Sequence, residues 1–566
     1  MDTLSAVLLV LIALLVIYPM ARTVIGLFSA TSDSGDLGID SSLLSVLWNT
    51  LVVVGGGSIL ALVCGATLAW INERTDGGFR GLGDFMPVAP LLLPAVTGVL
   101  GWVVLLDPRI GLLNVLIRTL LSYVGIDLAD GPIDIYSMGG MVAITGLHLV
   151  PVVYLIVSAA LRNLDPAIEE ASRINGAGPL RTAVRVTLPA VAPALAGAWL
   201  LGIINGIGLF SVPVILGTNA RIEVLSVRIW RYLTDYPSNP DAALVLAAGM
   251  LVVILALRTV QKYLVPSGRQ ATIGGRGVRA TRMRLGPFRL LTRLLVAGYI
   301  AAAVVLPVLG LLLVSVEPFW SMKIRWGQLS LVNYQNVLGN TQTLRSLLTS
   351  LGLAAVCATV AMLVAGFLML YAHQRRGTGG RRRGGKRRDG QESGHKRVID
   401  FVTSLPATIP HSLIGVSFIL AFSGKPFGLY GTVFILLLAY LTMEMPYAAS
   451  AAGTATSVVG NELAEASRIF GASERRTVGR ILLPLVLPGL AAGWVLVFIH
   501  ILGEVTASSL LSGSSNPVVG RVLLDLWGQG NFPQMTALAI VIWLISSVFV
   551  LLMLRLSNRR FARATG

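Results

Sequence analysis

The chain has 566 residues, 55% of them hydrophobic and only 13% charged, with a formal net charge of +17 and a mean hydropathy of +0.78. Soluble domains carry about a quarter charged residues, so this composition excludes an ordinary soluble enzyme and indicates a polytopic membrane protein. The basic excess does not indicate a nucleic-acid partner, because Arg and Lys concentrate in alternate loops between apolar runs, where the positive-inside rule puts them.

In chain order the apolar runs predict twelve spans. The first six lie at about 4–28, 47–71, 85–106, 139–161, 189–216 and 241–263. The other six lie at about 290–314, 346–372, 399–422, 431–454, 484–511 and 535–557. The runs are continuous rather than alternating, so they predict helices and not a barrel. The run at 4–28 could be a secretory signal ending near Ser29-Ala30. It lacks a basic leader and is long for such a signal, so it is read as a retained helix. Arg22, near its outer end, is a local exception to the charge rule. Cys64 and Cys357 lie inside apolar runs and read as packing residues, with no disulfide or metal role.

Charge sets the expected topology. Segment 29–45 carries Asp33, Asp36 and Asp40 and no basic residue, whereas the loops near 263–289 and 373–398 are rich in Arg and Lys. Both termini are therefore expected in the cytoplasm. The run Arg375 to Arg397 reads as a solvated loop, with a patch for anionic lipid headgroups as the sharper alternative. A Gly/Arg-rich stretch, Ser267 to Arg284, separates two halves: 1–266, a basic linker at 267–289, and 290–566.

The halves repeat. Glu170-Ala171-Ser172-Arg173-Ile174-Asn175-Gly176-Ala177 returns as Glu465-Ala466-Ser467-Arg468-Ile469-Phe470-Gly471-Ala472. Leu188-Pro189 returns as Leu483-Pro484 at the same offset of 295 (465 − 170 and 484 − 189). Pro151 matches Pro446 and Asn205 matches His500 at that offset, and Trp48-Asn49-Thr50-Leu51 matches Leu348-Thr349-Ser350-Leu351 at 300. Six spans per half give both halves one orientation, a parallel repeat about an axis along the membrane normal. Each repeated loop suits a short surface helix with an acidic residue near its start, a turn at Gly176 or Gly471, and a new helix beginning at Pro189 or Pro484.

Here the chain resembles a known family. Glu-Ala-Ala, three residues, Gly, then nine residues before Ile-x-Leu-Pro marks the permease subunits of binding-protein-dependent ABC importers. The first copy matches at Glu170, Ala171, Gly176, Val186, Leu188 and Pro189, and the second at Glu465, Ala466, Gly471, Ile481, Leu483 and Pro484. Both copies depart from the pattern with Ser at the third position. The likeness is closest to the fused two-half permeases of ferric-iron importers, supported by Leu164-Asp165-Pro166 and by Phe210 to Gly217; thiamine and aminoethylphosphonate permeases share the architecture. The resemblance implies an all-α protein like the type I importers. It also implies two copies of a cytoplasmic ABC ATPase on the two loops, an extracytoplasmic binding protein, and residence in a prokaryotic cytoplasmic membrane. ATP and magnesium would sit on the partner. The nearest phosphate-loop pattern here, Gly380 to Lys386, is followed by Arg387 and has no strand before it.

Ionisable groups inside spans are expensive and face cavities or partners. His148, Glu444, His500 and Glu504 are such groups. His500 and Glu504, four apart, would share a helix face and could pair. Asn205, His500 and Glu504 are candidates to line a central path; the alternative is interhelical hydrogen bonding, favoured for His148 and Glu444. Pro94, Pro151, Pro406 and Pro446 are kinks or hinges within spans. A secondary transporter with parallel halves is the rival reading, and a membrane-embedded enzyme or scaffold a more distant one.

Overall fold

The computed structural model describes residues 2–33, 42–79, 86–264, 283–378, 394–457, 463, 466–467 and 469–564. Glu465, Asp36, Asp40, most of the 267–289 linker and most of the 375–397 basic loop lie outside the described residues. Apart from one isolated bridge between Thr75 and Met283, the described residues are helical or irregular. Among them, ten helices are long and apolar enough to cross a bilayer. Two bent pairs raise the number to twelve if each pair is one span.

The helices used below are α1 (Asp2–Asp33), α2 (Leu43–Arg74), α3 (Ala95–Leu106), α4 (Leu112–Ser122), α5 (Met138–Asn163), α6 (Pro166–Ile174) and α7 (Ala183–Ile207). They continue as α8 (Leu225–Thr234), α9 (Pro240–Leu264), α10 (Phe288–Val316), α11 (Thr341–Thr378), α12 (His411–Phe422) and α13 (Val433–Ser457). The last four are α14 (Val478–Leu502), α15 (Thr506–Leu511), α16 (Val519–Gly528) and α17 (Phe532–Ala564).

The bent pairs revise two of the twelve expected spans. Met86–Leu92 meets α3 at 100°, and Gly394–Ala407 meets α12 at 92°. Pro94 and Pro410 stand at the corners, with ψ of 135° and 147°. Neither can donate a helical hydrogen bond, and each holds a fixed φ. Pro151 and Pro446, by contrast, stay inside continuous helices.

Pro189 and Pro484 do not begin helices, as the spacing suggests they would. Helical turns at Pro179–Thr182 and Glu474–Thr477 precede them, joined through π-helical turns at Ala183–Thr187 and Val478–Leu482. A third π turn, Ala301–Val305, precedes Pro307. A proline ring clashes with the carbonyl four residues back; the wider π turn relieves the clash and lets the helix run through. At the other end, α7 stops at Ile207 and α14 at Leu502, short of the expected 216 and 511.

Packing groups the helices differently from the sequence halves 1–266 and 290–566. One compact unit comprises 36–337 with 526–543; the other comprises 1–35, 338–525 and 544–566. In the first, α2 packs along α5, with α7 against both and α10 against α3. The α2–α5 seam is lined with glycine: a Cβ at Gly57, Gly65 or Gly146 would meet Thr145, Val153 or Leu60 at 2.7, 2.9 and 2.6 Å. Small residues let membrane helices approach closely enough for dispersion to hold them. In the second unit, α13 packs on α11 and α14, and α1 packs on α12. Thr23 there donates to Ser417 Oγ at 2.7 Å, and Tyr18 lies 5.7 Å from the Phe422 ring. Thus the first span of each sequence half sits with helices of the other. Membrane helices pair by shape and polar contact, and chain order does not constrain that choice.

Both units repeat their internal bonds. Thr50 Oγ1 accepts the Leu225 amide and Ser350 Oγ accepts the Val519 amide, each at 2.9 Å. Trp199 donates to Ser58 Oγ at 3.1 Å and Trp494 to Thr359 Oγ1 at 3.0 Å.

Candidate functional site: two matched loops and a polar cluster

The first loop is built from its cap outward. Asp165 accepts the Ala167 amide at 2.9 Å, Pro166 opens α6, and these fix the helix start. Gly176 ends it at φ 79°, with its amide on the Arg173 carbonyl at 2.9 Å and the Ala177 amide on Ser172 at 3.2 Å. That double bond is the Schellman arrangement, which needs a left-handed residue after the helix and so favours glycine. The second loop repeats it: Gly471 has φ 76°, and the Ala472 amide reaches the Ser467 carbonyl at 3.1 Å.

The serines that depart from the family pattern have a visible task. Ser172 and Thr182 hydroxyls lie 3.1 Å apart, and Ser467 and Thr477 hydroxyls 2.8 Å apart. Each bridge ties the loop helix to the first turn of the helix that becomes α7 or α14. The loop tips are apolar and open: Ile174 is 86% exposed and Phe470 89%. Glu170, Ala171 and Ala466 are also exposed, as are Leu188 and Leu483 behind the turns, whereas Glu465 lies outside the described residues.

Glu169, next to the motif, sits at the root of the first loop and is not singled out by the repeat. It is buried, ion-paired with Arg74 at 3.3 Å, and accepts the Thr187 hydroxyl at 2.6 Å. A second carboxylate beside Glu170 on a short surface helix is the one sequence signal that points to it.

The intramembrane pairing differs from expectation. His500 does not pair with Glu504: its Nδ1 lies 3.4 Å from Glu444 on α13, and its ring meets Tyr447 edge-on at 4.8 Å. The helix ends at Leu502, so Glu504 is no longer one turn from His500 on a common face. Instead Glu504 is buried and caps α15, accepting the Ala507 and Ser508 amides at 2.8 and 2.9 Å and the Ser508 hydroxyl at 3.0 Å. Ser508 in turn lies 2.7 Å from the Tyr440 hydroxyl. Asn205 is half-buried on α7 and belongs to the other compact unit; His148 is half-buried on α5. The structure therefore brings together Glu444 with His500, and separately Glu504 with Ser508 and Tyr440. Leu209, the positional match of Glu504, offers only its carbonyl, which accepts from Ser226 at 2.8 Å.

The family model described as the binding-protein-dependent transport system inner membrane component matches residues 57–270 and 395–563, more than half the chain. The chain belongs to this family. It is a permease subunit of an ABC importer, a multi-pass transport component. The permease is 24% identical to a ferric transport system permease protein of Actinobacillus pleuropneumoniae, covering 90% of this chain and 70% of that one. It is 23% identical to a probable ABC transporter permease protein of Sinorhizobium fredii, covering 94% and 90%. A spermidine/putrescine transport system permease protein of Haemophilus influenzae matches at 26% over 39% of the permease and 78% of its own length. Among solved structures, a bacterial ABC transporter involved in alginate import aligns over 48% of the permease and 96% of its own chain, with 16% identity and a TM-score of 0.37.

Proposed function

We propose that this permease imports ferric iron, received from an extracytoplasmic binding protein and driven by two cytoplasmic ABC ATPase subunits seated on the loops at 170–177 and 465–472. The observation that carries the ATPase assignment is the pair of matched loops, each with an exposed apolar tip, a glycine turn and a hydroxyl bridge to the helix behind it. An exposed apolar tip on a rigid turn is the surface a partner groove buries. ATP binding would draw the loops together and open the path outward; hydrolysis and release would return it inward, as alternating access requires. Both loops and both termini then lie on the cytoplasmic side of the inner membrane. The name of the relative from Actinobacillus supports ferric iron as cargo. The polyamine relative supports a second reading, an organic cation.

The test is reconstitution with the co-encoded ATPase and binding protein. Uptake of ferric iron that requires ATP and the binding protein supports the proposal. Uptake that survives ATP depletion under an ion gradient, or a purified assembly without ATPase, overturns it; polyamine uptake without iron uptake moves the cargo alone.

In the same reading Asn205, His500 and Glu504 face the solute path. Glu504→Leu removes every acceptor that caps α15 and should lower stability by about 1 kcal/mol, whereas Glu504→Gln keeps an acceptor and the volume. A several-fold loss of uptake in Glu504→Gln, at unchanged membrane level, is the expected result; normal uptake in both variants removes Glu504 from the path.

A further inference from the structure

The segment 107–137, which joins α3 to α5, holds a helix with reversed polarity. α4 has 11 residues, about 16 Å of helix and roughly half the thickness of a bilayer core, so it cannot be a span. Its polar side chains face the protein. Asn114 is fully buried and donates to the Leu106, Asp107 and Ile133 carbonyls at 3.0, 3.1 and 2.7 Å, while its Oδ1 accepts the Ile133 amide at 3.2 Å. Gly131 lies against it, where a Cβ would come within 2.3 Å of Asn114 Cγ. One turn further on, Arg118 donates to the Ala129 and Arg109 carbonyls at 2.8 and 3.3 Å. These bonds tie α4 to the end of α3 and to the chain at 129–133.

The opposite face is apolar and open. Leu116, Leu120 and Tyr123 recur at i, i+4 and i+7, on the side of the helix away from Asn114 and Arg118. Tyr123 and the following Val124 are 83% and 76% exposed. On an aqueous surface an amphipathic helix turns its apolar stripe inward and its polar face outward; α4 does the reverse, which suits hydrocarbon as the solvent. Its exposed hydroxyls, Thr119 and Ser122, donate back to the Val115 and Thr119 carbonyls at 2.8 Å each, as hydroxyls on helices do when the solvent accepts no hydrogen bond. The exposed carboxylates Asp127 and Asp130 come only after the apolar stripe. The stripe is also continuous with a face that a span presents to lipid. α10, which packs on α3, exposes Leu309 and Leu312, and the chain beyond it exposes Phe319 and Trp326. Arg118 Nη2 lies 3.1 Å from Met322 Sδ in that stretch and joins the two surfaces. Tyr and Trp favour the zone between acyl chains and water.

We propose that α4 is an interfacial helix on the extracytoplasmic side of the membrane, with its Leu116–Leu120–Tyr123 face against lipid acyl chains, and that it anchors the segment 107–137 to the bilayer surface together with Trp326. Lipid rather than the binding protein occupies the face. A protein interface carries about one hydrogen bond per 100–200 Å², whereas the two hydroxyls on this face already donate internally and the face runs on into that of α10. The choice of leaflet rests on the cytoplasmic placement of the termini proposed above; immersion of the face does not.

The test is a depth measurement with spin labels on the full chain, with Cys64→Ala and Cys357→Ala as background, in lipid nanodiscs that hold one permease each and so exclude contact between copies. Dissolved oxygen concentrates in lipid, and a hydrophilic nickel complex stays in water. The ratio of oxygen to nickel collisions should be several-fold higher for a label at Leu120→Cys than for one at Asp127→Cys. Equal ratios at the two positions overturn the proposal. Nickel access at Leu120 that is high in the permease alone and falls only on addition of the co-encoded binding protein also overturns it, and gives the face to that protein. Should Leu120→Cys fail to insert, Tyr123→Cys on the same face decides by the same criterion. The leaflet is read separately, with a membrane-impermeant maleimide on intact spheroplasts, which should label Asp127→Cys. Labelling only after lysis overturns the outward placement and the topology on which it rests, and leaves the depth result standing.

Discussion

Reversing both loop carboxylates, Glu170→Lys with Glu465→Lys, should reduce uptake at least tenfold while the permease still inserts. Glu170 is exposed on α6, beside the buried Glu169. On the proposed seating of the ATPase subunits, the loss comes from docking. Truncating one partner of a desolvated charge pair at an interface costs about 2–5 kcal/mol, and reversal adds repulsion. Each single variant should retain partial uptake, because the other loop still engages. The measurement is co-purification of the ATPase with the permease, normalised to permease in the membrane. Undiminished co-purification with the double variant would remove these two residues from the docking surface.

The second large effect is structural. Gly101→Val should leave little folded permease in the membrane and lower the thermal midpoint of what remains. A Cβ at Gly101 on α3 would sit 2.5 Å from Pro307 Cβ, 2.6 Å from its carbonyl oxygen and 2.7 Å from its Cα. Two of those atoms are backbone, in a proline that cannot rotate away. Relief therefore requires α3 and α10 to separate, at an overpacking cost of about 3 kcal/mol. Gly176→Ala makes the informative control: it meets nothing within 4 Å and strains only its left-handed φ of 79°, so its expected loss is about 1 kcal/mol. Detergent-solubilised thermal stability, read as the loss of monodisperse protein on heating, separates the two. Equal stability of Gly101→Val and the parent would mean that α3 does not approach α10 as closely as described.

Much of the site is legible in the amino-acid order. The repeated loops announce their own importance, because a charged segment that returns in register between apolar runs marks a duplicated structural element. The glycines at 176 and 471 read as turns, and both adopt the left-handed conformation that a helix end requires. Other readings fail for a shared reason. Pro189 and Pro484 read as helix starts from local propensity, yet a π turn upstream absorbs the ring clash and the helix continues. The i, i+4 spacing of His500 and Glu504 implies a pair only on an unbroken helix, and the helix stops between them. The reading of Glu444 as an interhelical polar contact holds, and its partner on α14 is His500.

The sequence by itself determined that the chain is helical and membrane-embedded, that it is a two-fold repeat, and that each repeat carries one loop of a single design. Those properties follow from length, apolarity and spacing, which are local and additive along the chain. Tertiary structure alone decided that α1 packs with α12 and α10 with α3, that Glu504 caps a helix rather than pairing, and that Arg74 reaches Glu169 across 95 positions (169 − 74) of chain. The physical reason is that, in lipid, hydrophobicity drives every span into the bilayer equally and cannot rank their partners. The ranking is left to close approach at small residues and to a few directed polar bonds, whose partners are far apart in the chain and close only after it has folded.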